Sequence, residues 1–249
     1  MRVLVVHNQG APGLPSGELG AVRDEVEVLQ ARGVEVRLHL VPGVSPAGLS
    51  AVARMRLAAN LFWSVGANRE IGRIVDEFKP DVVHFHSILP NLTPSAFHAV
   101  KSRGIPVVQT LHNFRWLCVE GGLFRRGFLC TDCIEHNEVR GLYHRCSRGS
   151  VPLSGILTMF NAFYLRSHLL FRLVDEFIAV SNFVRNTYVK KGFPSDRVHV
   201  KYNGVSIPAN AKGAKSRSGI AYVGRLSEAK GTEHLKQIMF NLPDVPFTI

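Results

Sequence analysis

Two groups of residues in this sequence have the types and spacing to do chemistry. The first is a set of four cysteines, Cys118, Cys130, Cys133 and Cys146, spaced C-x11-C-x2-C-x12-C. A C-x2-C knuckle with two flanking thiolates suits tetrahedral zinc, in a closed structural site that would staple a long aperiodic segment. The other reading is four reduced thiols, some of them buried as small hydrophobes. The second group sits at the ends of short apolar runs: Gly10–Gly17, His84 and His86, His112-Asn113, Ser181-Asn182, Asn203-Gly204 and Gly224–Gly231. In alternating α/β chains the carboxyl ends of strands are where ligands bind, and a glycine-rich turn into a helix lets backbone N–H groups approach a phosphate. The loop at 9–17 has neither a dinucleotide fingerprint nor a Walker lysine, which disfavours a nicotinamide enzyme and a P-loop ATPase. His84 and His86 are read as structural. They are expected to point to opposite faces of one strand, so that only one of them faces a cleft.

The elements that must hold these groups follow from periodicity. Val3–Val6 is a continuous apolar run, the pattern of a strand buried on both faces. A helix follows over about 18–32, with Leu19, Val22, Val26 and Leu29 at helical spacing and Gly33 as its stop. Val34–Leu40 reads as the second strand, so the unit is βαβ and the sheet parallel. The rhythm continues with a helix-rich stretch over 46–78, strands at Val82–Phe85 and Ile105–Thr110, and a helix at 94–103 between them. The aperiodic segment 114–150 comes next, then one long helix over about 153–172. A strand at 176–181, a helix at 182–191 and a strand at 197–202 complete the first body. The polar, small-residue stretch 206–218 reads as a linker. A new α/β lobe begins at 219–249, with a strand, a loop, a helix over 232–240 and the start of a further strand. Such a lobe needs on the order of 100 residues or more, so the second one is expected to be incomplete.

The chain has 249 residues, 46% hydrophobic and 20% charged, the composition of a globular α/β protein with a sizeable core. A net charge of +11 favours anionic partners such as a nucleotide diphosphate or an acidic lipid surface. The basic residues do not interleave with aromatics on one stripe, so no nucleic-acid partner is expected. The first apolar run is too short for a signal peptide and no long apolar span follows, so a cytoplasmic location is expected. The helix over 153–172 carries Phe160, Phe163, Tyr164, Leu169 and Leu170 beside Arg166 and Arg172. It fits either a core-packing helix or a basic amphipathic face lying on the inner surface of a membrane.

Four stretches in order, Val107–Asn113, Ala179-Val180-Ser181, Lys201–Val205 and Tyr222–Gly231, resemble the landmarks of the family 4 retaining glycosyltransferases over essentially the whole chain. The resemblance implies the two-lobed GT-B fold, with a Rossmann-like acceptor-side lobe over 1–205, which carries the cysteine insert 114–150, and a nucleotide-sugar lobe beginning at 219. It implies transfer of a sugar, with retention, from a nucleotide-sugar donor to a glycan, lipid-linked or small-molecule acceptor, and no catalytic divalent metal. It places Ser16, Gly17 and Glu18 near the donor phosphate region, His112 near the transferred sugar, and Arg225 and Lys230 on the diphosphate. The chemistry agrees, because a leaving diphosphate gathers negative charge that a forked guanidinium and a point-charge ammonium stabilise. The family's pattern has a second glycine where Ser16 stands. Its second lobe also carries a pair of glutamates that hold ribose and sugar, which 219–249 does not include, so the fragment is expected to be inactive alone. The alternative function is a non-catalytic lobe that binds an acceptor or a partner.

Overall fold

The computed structural model describes residues 1–10, 16–43, 50–205 and 218–249. The expected linker, apart from Ser218, and the middle of the 9–17 loop lie outside the described residues. The chain divides into two compact units, one of residues 1–123 and 131–205, the other of residues 124–130 and 206–249.

In the first unit, β1 (Arg2–Asn8), β2 (Glu35–Val41), β3 (Val82–Phe85), β4 (Val107–Leu111), β7 (Glu176–Ala179) and β8 (Val198–Val200) form one sheet, ordered β2-β1-β3-β4-β7-β8. Every pairing is parallel, as in a Rossmann-like α/β lobe. The chain leaves β1 to one side for β2 and returns to the other side for β3. The topological switch point is therefore beside β1, where open α/β sheets bind ligands.

Helices α1 (Gly17–Ala31), α2 (Ala51–Phe62), α3 (Val65–Phe78) and α4 (Thr93–Lys101) supply the crossovers between β1 and β4. The N-terminus of α1 is capped by Ser16, whose hydroxyl accepts from Leu19 N at 3.4 Å. At its other end Gly33 adopts φ +78°, which lets the chain turn into β2. The main core lies on the face of α3 and α4. There Leu4 and Val6 of β1 and Val83 and Phe85 of β3 pack with Ile71, Ile74, Phe97 and Val100. A smaller cluster on the opposite face joins Val3 and Val5 to Val22 and Val26 of α1.

The segment between β4 and β7 differs from its sequence reading. The aperiodic stretch contains a two-residue-stranded hairpin, β5 (Phe124–Arg125) and β6 (Phe128–Leu129), and the short helices α5 (Asp132–Glu135) and α6 (Val139–Tyr143). The long helix expected over 153–172 is two helices, α7 (Val151–Arg166) and α8 (Leu169–Leu173). His168 breaks it with φ +55°. Ser167 assists: its hydroxyl donates back to Phe163 O at 2.5 Å and accepts from Leu169 N at 3.3 Å, competing with the helical ladder. Phe160 and Tyr164 of α7 are buried in the core, while Met159 and Phe163 are exposed. No described helix is long and apolar enough to cross a membrane. Helix α9 (Asn182–Lys190), capped by Ser181, leads into β8.

The second unit contains the β5–β6 hairpin, the parallel pair β9 (Ile220–Ala221) and β10 (Phe247–Thr248), a 3-10 turn at Glu228–Lys230 and α10 (Thr232–Asn241). Among its described residues only Leu235 is buried.

Candidate functional site

Strand alternation builds the site. Val3 and Val5 of β1 and Val82 of β3 pack on the α1 side of the sheet. Stepping on by two residues puts His7, His84 and His86 on that same side. The expectation that His84 and His86 face oppositely is therefore wrong: residues two apart share a face, and only adjacent residues oppose. Their ring centroids are 4.4 Å apart. In β4 the same rule brings Thr110 and His112 onto this side, and α1 presents Glu18 and Glu25, two turns apart on one face.

The groups at the switch point are joined by short contacts. His84 Nδ1 lies 2.9 Å from Glu25 Oε1 and its Nε2 lies 2.7 Å from Thr110 Oγ1. Lys201 Nζ donates to Glu25 Oε2 at 2.5 Å. His86 Nδ1 is 2.8 Å from His112 Nε2, and the two rings stack with centroids 5.1 Å apart. One of those two nitrogens must carry the proton and the other accept it. Glu18 accepts from Ser87 Oγ at 2.5 Å and from Asn113 Nδ2 at 3.1 Å, so it ties α1 to the loops after β3 and β4.

Burial sets the charge states. It raises the Glu25 carboxyl, but the hydrogen bonds and charges of His84 and Lys201 outweigh it and hold the group at about 2. Desolvation lowers His7 and His112, and pushes His86 well below the ordinary histidine value, helped by the neighbouring histidines. A pair of neutral imidazoles, His86 and His112, therefore stands beside an ionised Glu25. His7 and His86 are each 1% exposed. Among the described residues neither nitrogen of His7 has a hydrogen-bond partner, nor has Nε2 of His86. Unpaired buried polar atoms are costly, so each of these calls for an explanation such as a water, an ion or a ligand.

The sequence-derived site residues fall into separate groups. His112 is half-buried at the end of β4, within this cluster. Ser16 and Gly17 begin α1, the helix that carries Glu18 and Glu25. Arg225 and Lys230 belong to the second unit, exposed on the loop after β9, where Tyr222 Oη donates to their carbonyls at 2.9 and 3.4 Å. Cys118, Cys133 and Cys146 belong to the first unit and Cys130 to the second, and none is in a disulfide. The cysteines do not form a group of three ligand atoms; among the described residues that spacing, within 4.8 Å, occurs only at Glu25, His84 and His86. Sequence reasoning missed Glu25, His7 and Lys201. The i, i+7 spacing of Glu18 and Glu25 on α1 was the one signal that could have found a member of the group.

Comparison with known proteins gives a family. The model described as Glycosyltransferase Family 4 matches residues 21–207. No curated protein matches the sequence significantly. Among solved structures, the UDP-GlcNAc 2-epimerase of Methanocaldococcus jannaschii superposes with a TM-score of 0.43 at 9% identity, over 80% of this chain and 45% of that one. The lipopolysaccharide outer core galactosyltransferase WaaB gives 0.44 at 13% identity, over 99% and 59%. The spinosyn forosaminyltransferase SpnP gives 0.43 at 17% identity, over 97% and 62%. The chain thus spans less than two thirds of the length of each of these proteins.

Proposed function

From the premise that the chain belongs to glycosyltransferase family 4, we propose that it serves transfer of a sugar from a nucleotide-sugar donor to a glycan, lipid-linked or small-molecule acceptor, with retention of configuration. The observation that carries this reading is the His86–His112 pair at the carboxyl ends of β3 and β4, next to the switch point of the sheet. An imidazole fixed through Nε2 has Nδ1 left over from that bond to meet a sugar hydroxyl, at the place where open α/β sheets bind ligands. In this proposal Ser16 and Gly17, at the N-terminus of α1, approach the donor phosphates. Arg225 and Lys230 neutralise the diphosphate as it leaves.

A second reading is a lobe that binds acceptor or partner without turnover. It is favoured by the second unit, where Val223 is 95% and Phe240 86% exposed and Leu235 is the one buried apolar side chain among the described residues. Radiolabelled UDP- and GDP-sugars, mixed with the protein expressed from its own gene and with lipid and glycan acceptors, separate the two. Transfer or hydrolysis that His112→Ala lowers by about 100-fold or more supports the enzyme. Acceptor binding with no turnover supports the second reading. Failure of both nucleotides to bind at millimolar concentration sinks the first.

A further inference from the structure

We infer that Glu25, His84 and His86 form a binding site for one divalent ion of the zinc class. One ligand atom from each lies within 4.8 Å of the other two. Ligands about 2.0–2.2 Å from a tetrahedral ion are roughly 3.3–3.6 Å apart, so side-chain shifts of up to about an ångström close the site. Two imidazoles and a carboxylate suit zinc or a neighbouring transition ion and not magnesium or calcium, which take oxygen ligands.

The surroundings are those of a metal site as well. An imidazole that binds metal through one nitrogen donates its other N–H to an oriented acceptor. His84, with Nδ1 beside Glu25, has its Nε2 2.7 Å from Thr110 Oγ1. His86 has its Nδ1 2.8 Å from His112 Nε2, while its Nε2 is buried and has no hydrogen-bond partner among the described residues. That unpartnered nitrogen, on a side chain 1% exposed, is the second observation pointing to a ligand. The free oxygen of the carboxylate is also accounted for, because Lys201 Nζ fixes Glu25 Oε2 at 2.5 Å and leaves Oε1 beside His84.

The ion has a consequence for the neighbouring imidazole. With metal on Nε2, His86 must keep its proton on Nδ1 and donate it to His112 Nε2. His112 then carries its own proton on Nδ1. The ion would thus select one tautomer of the pair without itself touching a sugar. Binding of the ion stands independently of the sugar-transfer reading, and its test needs no substrate.

The protein is stripped with chelator, its thiols are blocked or all four cysteines replaced by serine, and zinc and cobalt(II) are titrated with the bound metal counted. One equivalent should bind, and the cobalt form should show ligand-field bands without thiolate charge transfer. Glu25→Gln and His86→Gln should weaken that equivalent by at least about 100-fold, and Thr110→Val, which leaves all three ligands in place, by about 10–100-fold. The thiol-blocked protein taking up no metal at micromolar zinc overturns the site, whatever the variants do. So does an affinity unchanged in folded Glu25→Gln. If the two ligand variants fail to fold, the wild-type titration and Thr110→Val still decide.

Discussion

The two units answer differently to the same chain. The first packs a six-stranded sheet between helices and fully buries large side chains, among them Phe97, Phe160, Phe177 and Tyr188. The second has two pairs of two-residue strands and, among the described residues, buries Leu235 alone. The groups assigned to the sugar sit in the first unit and the cations assigned to the diphosphate in the second. Chemistry held by a core should be intolerant of change around it. Chemistry carried by an exposed loop should be tolerant in stability and sensitive only in binding.

The largest effect that can break this contrast comes from one phenylalanine in each unit. Phe177, on β7, is fully buried among Phe171 and Phe193, with ring centroids 6.3 and 5.0 Å away. Phe177→Ala should cost about 3–5 kcal/mol in urea unfolding, through lost burial and the cavity left behind. Phe240, on α10, is 86% exposed, and Phe240→Ala should change stability by no more than about 0.5 kcal/mol. Equal losses at the two positions would mean that the second unit has a core of its own.

A smaller effect is electrostatic. Glu138 has a side chain only 5% exposed, with Arg166 Nη2 2.9 Å from Oε2 and Lys191 Nζ 3.2 Å from Oε1. Burial raises its carboxyl, but its backbone hydrogen bond and the two cations outweigh that and lower it. A lowered folded value means the stabilisation is present above the unfolded carboxylate value, about 4.3, and is lost as pH falls through the folded value below it. Glu138→Gln should therefore cost about 1–3 kcal/mol at pH 7. The gap to wild type should narrow as pH falls below about 4. A gap that stays constant with pH would assign the loss to packing instead. Below this comes the cap of α9. Ser181 Oγ accepts from Val184 N at 3.2 Å, and Ser181→Ala should cost about 1 kcal/mol in the same urea measurement.

What the sequence made legible was local. Val3–Val6 as a buried strand, α1 with Gly33 as its stop, and His112 at a strand end all follow from patterns within a dozen residues. The α7–α8 break was not legible in this way, because neither glycine nor proline marks it; a serine bonding back to Phe163 and a histidine at positive φ do. The histidine cluster was missed for two reasons. The spacing of His84 and His86 was assigned to the wrong faces, although a period of two puts them together. Lys201 and Glu25, 176 residues apart in sequence, meet only because β8 and α1 are brought to the same end of the sheet. No single-sequence pattern carries a pairing of that range.

The smallest expected effect on stability is the most informative about the exposed loop. Arg225 is exposed, and what orders its neighbourhood is the Tyr222 hydroxyl bonded to the carbonyls of Arg225 and Lys230, not its own side chain. Arg225→Ala therefore removes a solvated guanidinium and leaves those backbone bonds in place. The unfolding free energy should move by less than about 0.5 kcal/mol. If this residue holds the diphosphate, calorimetric affinity for a nucleoside diphosphate should still fall about tenfold or more, since a charge-assisted hydrogen bond is worth about 1.5–3 kcal/mol. Lys230→Ala should behave likewise with a smaller loss, because an ammonium makes a point contact where a guanidinium forks. Unchanged affinity in both would leave this loop an ordinary solvated turn, and the diphosphate would have to be held by other groups.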